Sequence, residues 1–111
     1  METTRQKKVA RLIQKEIADI FILSGSIYNP GGLITVTQVR VSPDLSQAKI
    51  YLSVFKAEHP DKVLKNVNDA TKEIRLKLGN KVRHQLRIVP NLDFYLDDSL
   101  DYYERIDNLL K

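Results

Sequence analysis

Apolar residues recur at Val9, Leu12, Ile13, Ile17 and Ile20, the three- and four-residue spacing of one face of an α-helix. Thr3 and Gln6 precede that stripe as a capping box, in which a threonine and a glutamine three positions on satisfy each other's free backbone N–H groups. A helix is predicted to begin there and to stop at Ser24-Gly25-Ser26. Asn29-Pro30-Gly31-Gly32 reads as a turn, and residues 33–42, rich in β-branched side chains, as a strand. In residues 48–55, Ala48, Ile50, Leu52 and Val54 alternate with Lys49, Tyr51, Ser53 and Phe55, the period of two of a second strand. The short turn over residues 42–46 makes the pair an antiparallel hairpin.

His59-Pro60-Asp61 opens a second helix, with proline suited to the first helical position and aspartate to the positive end of the dipole. Val63, Val67, Ala70, Ile74, Leu78 and Val82 carry an apolar stripe toward Gln85. Gly79 lies inside that stripe at a cost of about 1 kcal/mol relative to alanine, and marks a predicted bend. Residues 86–96 read as a third strand, with Ile88, Pro90, Leu92 and Phe94 on one side and Pro90 unable to donate a ladder hydrogen bond. Ser99 is positioned to cap a short last helix striped by Leu100, Tyr103, Ile106 and Leu110. With no internal repeat or linker, residues 1–111 are expected to form one α+β domain, helices packed on a small sheet.

Composition narrows the chemistry. Hydrophobic residues at 42% of the 111 can build a core, and the absence of cysteine excludes thiolate catalysis, disulfides and cysteine-ligated metals. No apolar run approaches the roughly 18 residues of a membrane span, no secretory signal pattern opens the chain, and the expected location is cytoplasmic. His59 and His84 stand apart without metal-ligand spacing, Asp97-Asp98 with Asp101 suits a helix N-terminus rather than a calcium loop, and the glycines match no phosphate-cradling motif. No catalytic set, metal site or cofactor site is expected. The net charge of +4 is unevenly distributed: residues 1–91 hold 16 basic and 8 acidic side chains, residues 92–111 hold 2 and 6. Lys7, Lys8, Arg11 and Lys15 project opposite the apolar stripe of the first helix, and Lys65, Lys72, Arg83 and Arg87 opposite that of the second. Such faces either solubilise a helix or neutralise nucleic-acid phosphates, which gives affinity without base specificity. Tyr51 and Phe55 share a strand face with Lys49 and Ser53, where they either stack on bases or lie beneath a helix.

The ordered segments resemble those of the ribosome-binding factor A family. The resemblance rests on Val41-Ser42-Pro43-Asp44-Leu45 followed by Ala48-Lys49, on Ile74-Arg75 and Leu78-Gly79, on Arg87 and Pro90 with Leu92 and Phe94, and on Asp98-Ser99 and Ile106. It implies a type II KH-like fold lacking the GxxG loop, in the order helix, strand, strand, helix, kink, helix, strand. The family's kink motif, Ala-x-Gly, is Ala70-Thr71-Lys72 here, without its glycine. The kink could be milder, move to Gly79, or persist with another capped geometry. About two extra residues also separate Gly79 from Pro90.

The resemblance further implies a non-catalytic factor that binds the free small ribosomal subunit and assists late maturation of its rRNA, including the 5′ end. It also implies a link to cold adaptation and release aided by a GTPase. Phosphate contacts are expected from Arg5, Lys7, Lys8, Arg11 and Lys15 on the first helix, and from Lys72, Arg75, Lys81, Arg83 and Arg87 on the second helical segment. A monomer without membrane association is expected. The competing reading is a basic adaptor for an acidic protein partner, without preference for RNA. A small hydrolase ranks third, because no convergent constellation is visible.

Overall fold

A computed structural model describes residues 2–97. Its elements are α1 (Thr4–Tyr28), β1 (Leu33–Val41), β2 (Gln47–Phe55), α2 (Pro60–Asp69), α3 (Thr71–Val82) and β3 (Asn91–Leu96). The helix expected after Ser99 lies outside the described residues. Central β2 pairs antiparallel with β1 and parallel with β3, and the α2–α3 pair forms the crossover that a parallel connection requires. The three helices lie on one face of the sheet, and Ile13, Ile17, Ile50, Leu52, Val67, Ile74, Leu78 and Val82 are completely buried between the layers. Element order is that implied by the family resemblance.

The capping box at the start of α1 is present as expected. Gln6 Oε1 accepts the Thr3 N–H at 2.7 Å, and Thr3 Oγ1 accepts the Gln6 N–H at 3.1 Å. Gln6 Nε2 also donates to the Val41 carbonyl at 2.9 Å, so the cap fastens α1 to the end of β1. At its other end α1 does not stop at Ser24-Gly25-Ser26 but runs to Tyr28. Gly25 is buried in the helix, and Tyr28 packs edge-on against Phe21 at 6.2 Å, a gain in burial that outweighs glycine's poor propensity. Burial, with a smaller contribution from the nearby Glu73 charge, raises the Tyr28 pKa above its ordinary value. Asn29 closes α1 with its N–H on the Gly25 carbonyl, and its side-chain amide donates to the Phe55 and Leu33 carbonyls at 3.0 and 3.2 Å.

The hairpin forms in the expected place, with a bulge between Val36 and Gln38. That extra residue reverses the strand's parity, which is why Ile34 and Val36 but then Val39 and Val41 face the helices.

Three expectations for the second half are corrected. The long helix breaks at Ala70, where φ −97° and ψ 12° leave the helical region, and not at Gly79, which sits inside an unbroken α3. No glycine is required at Lys72. The Ala70 N–H is shared between the Asn66 and Val67 carbonyls, and the Thr71 hydroxyl donates to the Asn68 carbonyl at 2.7 Å, so the break is capped locally. Secondly, α3 ends at Val82, short of Gln85. Thirdly, β3 begins at Asn91 and not near Leu86: Pro90 has no N–H for the ladder, and residues 83–90 form a loop with Ile88 exposed and Pro90 buried.

Candidate nucleic-acid interface

Among the described residues, 16 basic and 10 acidic side chains are present, and the cations occupy distinct surfaces. Lys7, Arg11 and Lys15, four positions apart on exposed turns of α1, form a solvent-facing row opposite Ile13 and Ile17. Arg5 and Lys8 face the hairpin end of the molecule. There the first turns of α1, the turn between β1 and β2, and the loop before β3 enclose a cavity of about 410 Å3. Arg87, expected on a helix, lies instead in that loop and lines the same cavity. Tertiary structure thus unites cations from two distant segments.

The remaining candidates lie along α3. Lys72 and Arg75 line a shallower groove of about 370 Å3 with Leu76, Gly79 and Val89. Arg75 is half-buried: its Nε donates to the Pro90 carbonyl at 3.0 Å and its Nη2 to the Val89 carbonyl at 2.6 Å, fixing the entry to β3. Lys81 Nζ lies 3.8 Å from the Glu16 carboxylate and ties α3 to α1. Arg83 is exposed at the C-terminal cap of α3. Arg75 and Lys81 therefore have intramolecular partners, although Lys81 is itself exposed, as are the other eight candidates.

The cavity wall contains groups that charge counting passed over. The turn from β1 to β2 places Leu45 at φ 62°, in the left-handed region. Asp44 holds it there: Oδ1 accepts the Ser42 hydroxyl at 2.7 Å, the Ser46 hydroxyl at 2.7 Å and the Ser46 N–H at 3.1 Å. These bonds, the Ser42 hydroxyl foremost, lower the Asp44 pKa to about 2. Leu45, Leu86, Ile88 and Pro90 join Val9 as the apolar part of the cavity lining, beside the cations. The Pro43-Asp44-Leu45-Ser46 pattern signals a turn, but nothing local signals that it meets the loop before β3.

On the sheet face away from the helices, Tyr51 and Tyr95 lie 5.7 Å apart at 31°, beside the exposed side chains of Leu33 and Phe55. None of the three described helices covers that face. Among the described residues, no group of three or more histidine, aspartate or glutamate side chains could hold a metal, and no helix is long and apolar enough to cross a membrane.

The chain was compared with known proteins. The family model of ribosome-binding factor A matches residues 5–110. Ribosome-binding factor A of Cytophaga hutchinsonii is 48% identical over 110 residues, covering 99% of this chain and 83% of that one. That of Chlorobium phaeobacteroides is 41% identical, covering 98% and 93%. The crystal structure of ribosome-binding factor A from Thermus thermophilus superposes with a TM-score of 0.67 at 22% identity, over 82% of this chain and 93% of that one. Coordinates of the Thermus thermophilus factor fitted into a cryo-EM map of a 30S complex give 0.62 at 23% identity, over 78% and 89%. An α+β fold that superposes on a solved ribosome-binding factor A, a family match across nearly all residues and relatives at such identity have one reading: the chain belongs to the ribosome-binding factor A family.

Proposed function

We propose that this chain is a non-catalytic assembly factor that binds the free small ribosomal subunit and holds part of its rRNA in one arrangement during late maturation, including that of the 5′ end. The observation that carries the reading is the convergence of Arg5 and Lys8 from a helix with Arg87 from a loop, flanked by the exposed row Lys7, Arg11 and Lys15. Support comes also from the Thermus thermophilus relative fitted into a 30S complex. Lys72 and Arg83 extend the basic track along α3, while Arg75 and Lys81 act partly through the loop and helix they fasten. Binding one RNA arrangement more tightly than its competitors shifts the population without making or breaking a bond. That effect matters most in the cold, when misfolded helices open slowly. Residues 1–111 act as one domain, cytoplasmic and monomeric, released with the help of a GTPase.

Co-sedimentation with isolated small subunits, large subunits and intact ribosomes across a salt series tests the proposal. Selective pelleting with small subunits that fades as salt rises is the expected result. Replacing Lys8, Arg11 and Lys15 together by alanine should weaken binding and flatten the salt dependence by up to about 0.9 log unit per lost phosphate contact. No pelleting at low salt would instead favour an acidic protein as the partner.

A further inference from the structure

The cavity at the hairpin end is built for more than phosphate. Its cations, Arg5, Lys8 and Arg87, share the lining with the apolar side chains of Val9, Leu45, Leu86 and Pro90, and with Ile88 at the rim. A site for phosphate alone has no use for such side chains, whereas an unstacked nucleotide presents a flat apolar base beside a charged group. The volume of about 410 Å3 falls within the range of small-molecule pockets, roughly 300 to 1,000 Å3. Ile88 is 73% exposed at the rim, where it offers a base an apolar surface to stack on. Leu45 is held in the lining by a left-handed backbone that leucine does not favour.

Asp44 narrows the choice of base. A carboxylate repels phosphate, so its place in the wall marks where the ligand donates hydrogen bonds. The three bonds it accepts from Ser42 and Ser46 all end on Oδ1, its own backbone N–H adds a further bond to the carboxylate, and the side chain is exposed, so Oδ2 stands open to a donor of the ligand. Guanine is the base whose Watson–Crick edge sets two donors side by side, N1–H and the 2-amino group. Adenine and cytosine place an acceptor beside their donor, and uracil flanks its single donor with two carbonyls.

We propose that this cavity takes one unstacked guanine nucleotide of an RNA strand, with Asp44 Oδ2 accepting from the guanine edge, the apolar side chains stacking the base, and Arg5, Lys8 and Arg87 holding the flanking phosphates. The adjacent row of Lys7 and Arg11 favours a strand over a free nucleotide, because it continues the cationic track past the cavity mouth. The inference rests on the RNA-binding reading above.

The test is fluorescence anisotropy of the 111-residue chain with eight-nucleotide RNAs of uridine carrying one central guanosine, adenosine, cytidine or uridine. The guanosine strand should bind about fivefold to tenfold more tightly than the all-uridine strand. Asp44→Asn should abolish that preference while leaving the salt dependence unchanged. Ile88→Ser, at an exposed position where folding is not at stake, should weaken the guanosine strand severalfold and the uridine strand little. Equal affinity of all four strands for a wild-type chain that still pellets with small subunits would overturn the guanine site and leave the RNA-binding reading standing. Failure to bind any strand or subunit would overturn both. Competition by free GMP as tight as that of the strand would reassign the cavity to a mononucleotide and overturn the proposal as stated.

Discussion

Asn29 and Gly32 form a knot that shows how much a single atom decides in this fold. A Cβ on Gly32 would lie 2.2 Å from the Phe55 carbonyl oxygen and 2.4 Å from the Asn29 amide nitrogen, where neither group can retreat without losing their mutual hydrogen bond. Gly32→Ala should therefore destabilise the protein by more than about 2 kcal/mol in urea denaturation. Asn29→Ala should cost about 1–3 kcal/mol by leaving the Phe55 and Leu33 carbonyls without that donor. Gly79 is the opposite case: an added Cβ meets only Val89 Cγ2 at 3.6 Å, inside a helix with ordinary backbone geometry. Gly79→Ala should raise stability by up to about 1 kcal/mol. Asp44 adds a titration. Its pKa of about 2, below the ordinary 3.8, means that its contribution is complete above the ordinary value and is lost as pH falls through about 2. Carbon-detected NMR should place its midpoint near 2, and Ser42→Ala with Ser46→Ala should return it toward 3.8. The glycine contrast was hidden in the sequence, because both residues read only as breakers until the neighbouring atoms were in place.

At the scale of elements, strands and helices were legible where periodicity or a cap spoke, and illegible where termination depended on packing. The capping box of Thr3 and Gln6 and the alternation of β2 are local signals and appear where expected. The end of α1 and the break at Ala70 are not local: Tyr28 finds Phe21 in the core, and α2 and α3 must each turn Val63, Val67, Ile74 and Leu78 inward. The parity change between Val36 and Val39 is a bulge that the structure reveals, since residues 33–42 read from the sequence only as a strand rich in β-branched side chains. Arg75 joins two elements through the Val89 and Pro90 carbonyls. Arg75→Met should free the loop before β3, seen as faster amide hydrogen exchange at Asn91, whose N–H donates to the Ser46 carbonyl.

For the whole molecule, a basic body binding a polyanion is the expectation that charge supports, and its signature is salt dependence. Reversing the exposed row with Lys7→Glu and Arg11→Glu should cost more affinity for small subunits at low salt than at high salt, because screening weakens repulsion as it weakens attraction. Conversely, Arg75→Met should lower stability more than it changes the salt slope, since this arginine already serves two carbonyls.

The order of elements, the hairpin, the basic character of the first helix and the family resemblance were all available from the one-dimensional pattern, because periodicity, turn residues and charge are local properties. The cavity was not. Arg5, Asp44 and Arg87 are far apart along the chain, and only packing of α1, the hairpin turn and the loop before β3 on one end of the sheet brings them together. The same packing distinguishes Arg75, half-buried and bonded to two backbone carbonyls, from cations left facing solvent, a difference that depends on where the carbonyl partners lie in space.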